Sequence, residues 1–431
     1  MQHIIKKQII NLSLQKKMDV FQIQQKMSAD YWSNIVPILE KAFDDISTAD
    51  ETISIDTLEI DLGTFTEREI EIGEWQELLA KRITEQLLPV KHQLSSQLTV
   101  RRKAKSLGTA DQWIFYMCHG FLPWNVMKID TDWYQQVLEA FAADATAIDK
   151  LRKLINSNVV ALKRIILRHD EKFLVALAET LTAKSQIKLP ELLNQTVKEN
   201  KQLLKTIPGI TTQQRLWYRV LQVVAGPDKN LDAAEIVKRI VDDIPALDKL
   251  PGNSDGEKDI KEIIDDGIYV ANAGMVLLHP FLAGFFRNIG VVEKDDFVDL
   301  AAYQKAIIIL HYLATANVTP EEHELVIPKM LCAFPLDEPV SNNILISNEE
   351  LKEAEAVLQS AIAQWDILKG TSPEGLRESF LQRSGKLFMK DDQPQLQIEA
   401  SAIDVLLDHL PWNLSMIMLP WMKNYLRIEW R

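Results

Sequence analysis

Residues 124–189 read WNVMKIDTDWYQQVLEAFAADATAIDKLRKLINSNVVALKRIILRHDEKFLVALAETLTAKSQIKL, with neither glycine nor proline. No glycine occurs between Gly120 and Gly209. These two residues oppose helix interiors most strongly, so their absence over about 65 positions predicts helices joined by short polar turns. The fold class read from this stretch is mainly α.

Working outward, Val20, Ile23, Met27, Tyr31, Ile35, Ile38 and Ala42 recur at spacings of three and four, continued by Leu39, Phe43 and Ile46. That spacing lays one apolar stripe along an N-terminal helix. The period then changes. From Thr52 to Gly63 large apolar residues alternate with polar ones, with a phase shift between Ile55 and Leu58. This predicts a short strand or a small N-terminal β-hairpin, bulged or bent and closed by Gly63. Residues 67–88 return to a helical pattern expected to stop at Pro89. Residues 86–110 lack acids but carry Lys91, Arg101, Arg102, Lys103 and Lys105, which reads as a polar linker with a basic knot.

Residues 242–266 hold nine acids against three lysines, with Pro245, Pro251, Gly252 and Gly256 among them. Like charge plus turn formers is a linker signature. Beyond it come minor β elements: Leu387-Phe388-Met389 and Leu396-Gln397-Ile398 around a turn at 391–394, and an alternating run over 425–430. The expected organisation is a helix/β-hairpin/helix module over 1–90, a helical middle over 91–241, an acidic linker over 242–268 and a compact helical domain over 269–431.

The chain has 431 residues, enough to bury several cores. Acids outnumber bases 61 to 48, a formal charge of -13. That argues against a dedicated nucleic-acid binder, which needs a cationic surface to displace counterions. Two cysteines, Cys118 and Cys332, suit a reducing compartment and exclude a thiol zinc site built on C-x-x-C pairs. No run approaches ~18 uninterrupted apolar residues, so no membrane span is placed. The first residues lack the apolar core of a secretory signal, and synthesis in the cytoplasm is expected.

Nothing in the sequence demands catalysis. The eight histidines form no H-E-x-x-H. His311 and His323, near Glu321, Glu322 and Glu324, read as capping or surface polarity rather than metal ligands. Cys118 and His119 are adjacent, hence about 100° apart on a helix, which disfavours a thiol–base pair. Phosphate-binding glycine loops and a nucleophile elbow are absent from the sequence, and no cofactor is assigned. What recurs is Leu-Pro-Trp, as Leu122-Pro123-Trp124, Leu410-Pro411-Trp412 and Leu419-Pro420-Trp421. It reads as a helix-corner device, with proline setting the exit angle and the indole packing on the next helix.

Several stretches together resemble the tape measure proteins of contractile injection systems, the phage-tail-like particles with which bacteria deliver toxins. They are His3-x-Ile5 with Ile55-Asp56-x-Leu58-Glu59-Ile60-Asp61-Leu62-Gly63, and Gly120-Phe121-Leu122-Pro123-Trp124. In the C-terminal part they are Asn272-Ala273-Gly274-Met275 through His279-Pro280-Phe281-Leu282, Glu322-His323-Glu324-Leu325 with Lys329-Met330-Leu331-Cys332, and Ser372-Pro373-Glu374-Gly375 through Gly385-Lys386-Leu387. The ending, Leu410-Pro411-Trp412 through Leu419-Pro420-Trp421 to Ile428-Glu429-Trp430, is similar too.

The resemblance implies a structural ruler, not an enzyme, that sets inner tube and sheath length from inside the tube lumen, in one or several copies. Its implied partners are the inner tube protein, baseplate or hub components, a tube terminator or cap protein, and cargo toxins. It would be cytoplasmic during assembly and then inside the particle. The alternative is an adaptor or chaperone that loads cargo or assists assembly of the same particle. The part between the matching ends, about 145 residues, spans at most ~220 Å if wholly helical, and a ruler should be stiff there. Partner-binding candidates are Asn272, His279, Arg377, Arg383, Trp412 and Trp421, with Arg101 and Arg102 as a second docking patch. Within them, Arg377 is expected to find a carboxylate such as Glu374, and His279 to cap a helix.

Overall fold

In a computed structural model the chain forms two compact units, residues 1–110 and 111–431. The structure describes residues 3, 5, 8–12, 30–46, 51–55, 57–66, 68–69, 73–91, 100–123, 126, 129–130, 132–200, 211–228, 230–242, 267–391 and 393–430. Val20, Ile23 and Met27 of the apolar stripe, Trp124 of the first Leu-Pro-Trp, and the acidic run 243–266 lie outside the described residues.

In the first unit, α1 (Val36–Ile46) follows a π-helical turn over Tyr31–Ile35, and α2 spans Glu74–Lys91. Ile35, Leu39, Ala42 and Ile46 pack against Trp75, Leu79, Ile83, Leu87 and Val90, so the stripe buries the face its spacing predicts. The helix expected over 67–88 starts later and runs past Pro89. Pro89 forfeits its own hydrogen bond to the Glu85 carbonyl, and only Val90 and Lys91 follow it in the helix. Strand β1 (Glu51–Ile55) lies within the alternating stretch, but no local hairpin follows it. Its antiparallel partner is β2 (Val100–Ala104), with Ser54 opposite Arg101 and Ile53 opposite Arg102. The basic knot read as a linker is thus a strand.

The glycine-poor stretch is a bundle of short helices: α3 (Lys105–His119), α4 (Trp133–Ala143), α5 (Ala145–Ser157), α6 (Val159–Arg168) and α7 (Glu171–Thr182). It continues through α8 (Leu189–Glu199), α9 (Thr212–Val224) and α10 (Ala233–Val241). The turns are caps. Asp144 accepts from Thr146 and Ala147 backbone N–H, Asn158 from Ala161 and Asp170 from Phe173. Each satisfies donors that a helix start leaves open. Arg152 closes other ends, donating to the carbonyls of Leu181, Val224 and Gly226 where α7 and α9 finish. The chief packing partners of α4–α10 are one another. A helix of 13 residues is only about 20 Å long, so the expected stiff rod is, in this state, a stack of short struts.

The C-terminal part is built around α12 (Leu300–Thr315), buried on nearly every side, with α11 (His279–Asn288), α13 (Val326–Leu331) and α14 (Asn348–Gln364) around it. A five-stranded sheet adds β3 (Ile268–Val270), β6 (Gly385–Lys390), β7 (Gln393–Ile398), β9 (Leu426–Trp430) and β8 (Met416–Ile417), in that order. A separate two-stranded ladder joins β4 (Val292–Glu293) to β5 (Asp296–Phe297). The predicted hairpin is present: Leu387 faces Leu396 across β6–β7, Lys390 pairs with Gln393, and Asp391 turns the chain with φ 52°. Pro394 lies before Gln395, where pairing with β9 begins, so its missing N–H costs that ladder nothing. The predicted terminal strand is β9, which runs parallel to β7. Among the described residues, this core takes only Phe115 and Phe121 from before residue 268.

Candidate functional site: a buried charge cluster and the motifs around it

The bundle and the C-terminal core meet at charges. Arg164 and Arg168 stand four apart on α6, on one face of the helix, and both are buried. They reach Glu322, which opens a 3-10 turn over Glu322–Leu325 and is itself 0% exposed. Arg164 Nε lies 3.9 Å from Glu322 Oε1, and Arg168 Nε 3.7 Å from Oε2. Lys329 of α13, also buried, makes a short ion pair with Oε1. Val340 N–H donates to Oε2 at 3.3 Å. Burial alone would raise the Glu322 pKa, but Lys329, Arg168 and Arg164 more than offset it and hold the carboxyl below its ordinary range.

The remaining cationic N–H groups find backbone carbonyls. Arg164 donates to Met117 and Asp337, Arg168 to Pro320 and Val340, and Lys329 to Leu336 at 3.2 Å and Glu338 at 2.8 Å. Gly120, in the left-handed region at φ 78°, lies against Arg164: a Cβ there would sit 2.9 Å from a guanidinium nitrogen. The Gly120-Phe121 motif thus has two tasks, making room for Arg164 and sending Phe121 into the C-terminal core.

Of His311 and His323, read above as surface or capping residues, His311 is buried and His323 half-buried beside this cluster. Burial, and then the Arg168 charge, lower both pKa values to about 4, so both imidazoles are neutral. Tyr134 OH donates to Glu321 at 3.0 Å, and Tyr116 lies edge-on to His323. Sequence reasoning missed Arg164, Arg168, Glu322 and Lys329. A signal existed: the α6 sequence holds two arginines four apart and no acid, so their counter-charge had to come from elsewhere.

The predicted partner-binding residues occupy internal contacts. Asn272 is buried and donates to Glu324 O at 2.9 Å. Arg377 pairs with Glu355 and, at 3.2 Å, with the expected Glu374, while its Nε donates to Leu313 O. Arg383 pairs with Asp404. His279 caps a helix as expected: it is the C-cap of a 3-10 helix, its backbone N–H donating to Val276 O and its Nδ1 3.0 Å from the same carbonyl, while the N-cap of α11 is Leu278. Arg101 and Arg102 lie in β2.

The Leu-Pro-Trp copies are not all helix corners. Leu410-Pro411-Trp412 follows a 3-10 helix over Ala402–His409, but Leu419-Pro420-Trp421 lies in a loop. The two copies whose tryptophan is described share a hydrogen bond. Trp412 Nε1 donates to Leu277 O at 3.1 Å and Trp421 Nε1 to Leu331 O at 2.8 Å. Leu277 is next to last in a 3-10 helix (Ala273–Leu278) and Leu331 is the last residue of α13. The indoles thereby satisfy carbonyls that helix ends leave open. Close approach explains Asn272-Ala273-Gly274 as well: a Cβ on Gly274 would meet the Phe380 carbonyl oxygen at 1.7 Å.

Stretches 120–124, 272–282, 322–332 and 372–387, far apart in sequence, thus include the contacts that build one folded body: a scaffold of buried pairs and caps. The chain matches the family model described as contractile injection system tape measure protein over residues 2–430. It belongs to that family, whose members are structural tape measure proteins and lie inside the injection particle. No curated protein and no solved structure matches it. No described helix is long and apolar enough to cross a membrane.

Proposed function

We propose that the chain measures by contour: residues 133–241 supply the length, and the parts on either side supply the attachments. The observation that carries this reading is the family match across residues 2–430, which favours the ruler over the adaptor. The build of the middle supports it. Strung end to end as helix, 109 residues (133 to 241) would reach about 160 Å, whereas packed as struts they occupy a bundle. The ends would engage the inner tube protein, the baseplate or hub, and the terminator or cap, with no catalytic step. Residues 269–431 form the attachment on one side, and 242–268 its linker. Trp412, half-buried, shares a surface groove with Leu410, Leu414, Ile428 and Trp430. Whole helices of the middle deleted or duplicated in the producing cell test the reading by electron microscopy of the particles. Tube length should change in proportion to the residues removed or added; intact particles of unchanged length would end it.

A further inference from the structure

We infer that the Arg164–Arg168–Glu322–Lys329 cluster is a release joint, at which the helical bundle parts from the C-terminal core while each keeps its own fold.

Three observations carry this. The apolar cores are separate: α4–α10 pack mainly on one another, and the C-terminal core takes only Phe115 and Phe121 from before residue 268 among the described residues. Ionic and carbonyl contacts cross the join between them, beside the Tyr134–Glu321 hydrogen bond and the edge-on Tyr116–His323 pair. Arg164 and Arg168 from α6 bind Glu322 and the carbonyls of Pro320, Asp337 and Val340, and Lys163 adds an ion pair to Glu338 at 3.4 Å. Lastly, the acceptors lie in two segments, 320–322 and 337–340, that Lys329 gathers from the C-terminal side.

The physical chemistry of such a join differs from that of an apolar one. Burying Glu322, Arg164, Arg168 and Lys329 strips each of water, and their mutual attraction roughly repays that cost without a large surplus. Opening returns them to water, so separation gives back most of what closure spent. An apolar face of similar area would resist opening by its full hydrophobic burial. Closed, the same cluster fixes one geometry, because any other pairing leaves a buried charge unmatched. A joint that is specific when shut and cheap to open is what a chain stored folded and used extended requires. That purpose rests on the ruler reading; the joint itself does not.

Hydrogen exchange on the full-length protein tests it, read at the joint (159–168 and 320–340) and inside each core (214–224 and 393–398). Glu322→Gln leaves three cations without their carboxylate. Protection at the joint should fall by about tenfold or more, with both cores unchanged. Equal loss at all sites, or no loss at the joint, would overturn the inference. Should that variant not fold, the combined Arg164→Met, Arg168→Met, Glu322→Met and Lys329→Met variant decides. Slower exchange than wild type at the joint alone supports a joint built to open, and unchanged or generally faster exchange overturns it. In the producing cell, particles of normal length from this locked variant would sink only the link to use. The helix-deletion series separately tests the ruler.

Discussion

The helical bundle and the C-terminal core solve the same problem by opposite means. In the bundle α5, α6, α7, α9 and α10 are each capped by the side chain just before them, Asp144, Asn158, Asp170, Thr211 and Asp232, and the helices pack on others near them in sequence. In the C-terminal core distant segments hold each other: Asn272 binds Glu324, Arg377 binds Glu355, and Trp421 binds Leu331. A structure of local contacts tolerates inserted or deleted units, because each new helix brings its own cap and face. One of distant contacts does not. The difference fits a part whose length can vary beside a part whose shape must not.

The sharpest way to break that comparison is Gly274→Ala. Its Cβ would overlap the Phe380 carbonyl, so the C-terminal core should lose more than about 4 kcal/mol. Hydrogen exchange should show β6–β7 unprotected and α9 still protected; equal loss in both would mean one cooperative body. The reciprocal change is Trp113→Ala. Trp113 is buried among Phe141, His169 and Phe173 in the bundle, and its truncation should cost about 3–5 kcal/mol. Here α9 should lose protection first and β6–β7 keep it.

Acid should act on both sides. Burial holds His169 in the bundle, and His311 and His323 beside the charge cluster, at pKa values of about 4. Each is neutral when folded and has an ordinary pKa near 6.5 when unfolded. The stability that neutrality supplies is therefore complete above about pH 6.5 and is lost as pH falls toward 4. The order is about 2–3 kcal/mol per imidazole. Urea midpoints measured from pH 8 to 4.5 should stay flat and then drop. His323→Gln should flatten the drop for the C-terminal core and leave it in the bundle.

Smaller effects sharpen the contrast. Trp421→Phe and Trp412→Phe each remove one indole N–H from a helix-end carbonyl and should cost about 1 kcal/mol, more for the better buried Trp421. Asp144→Ala in the bundle and Asp299→Ala at the start of α12 each remove an N-cap, about 1 kcal/mol in thermal melts. Because a cap is local, these two losses should be alike in both regions.

What the sequence disclosed follows the same division. Helix stripes, the short polar turns between the middle helices, and the 387–398 hairpin were legible because they depend on spacing within one element. The pairing of β1 with β2 was not, since the partner of Glu51–Ile55 comes after an intervening helix and carries cations that mimic a solvated linker. The charge cluster was hidden for a related reason. Glu322 and Arg164 look like surface residues until the fold brings 158 positions of separation (322 less 164) to 3.9 Å. Arg377 with Glu374 was readable because the pair is three apart. The tasks of Trp412 and Trp421 were not, because the carbonyls they serve belong to other segments.

Strand β9 bears on how the molecule is made. It covers residues 426–430, yet it lies between β7 and β8, neither of which touches the other. During translation the sheet must wait with a gap in it while earlier helices are already complete. Until residue 430 clears the ribosome, β8 has no neighbour and β7 has a bare flank. The bundle needs nothing from β9, whereas the sheet stays open between β7 and β8 until that strand arrives.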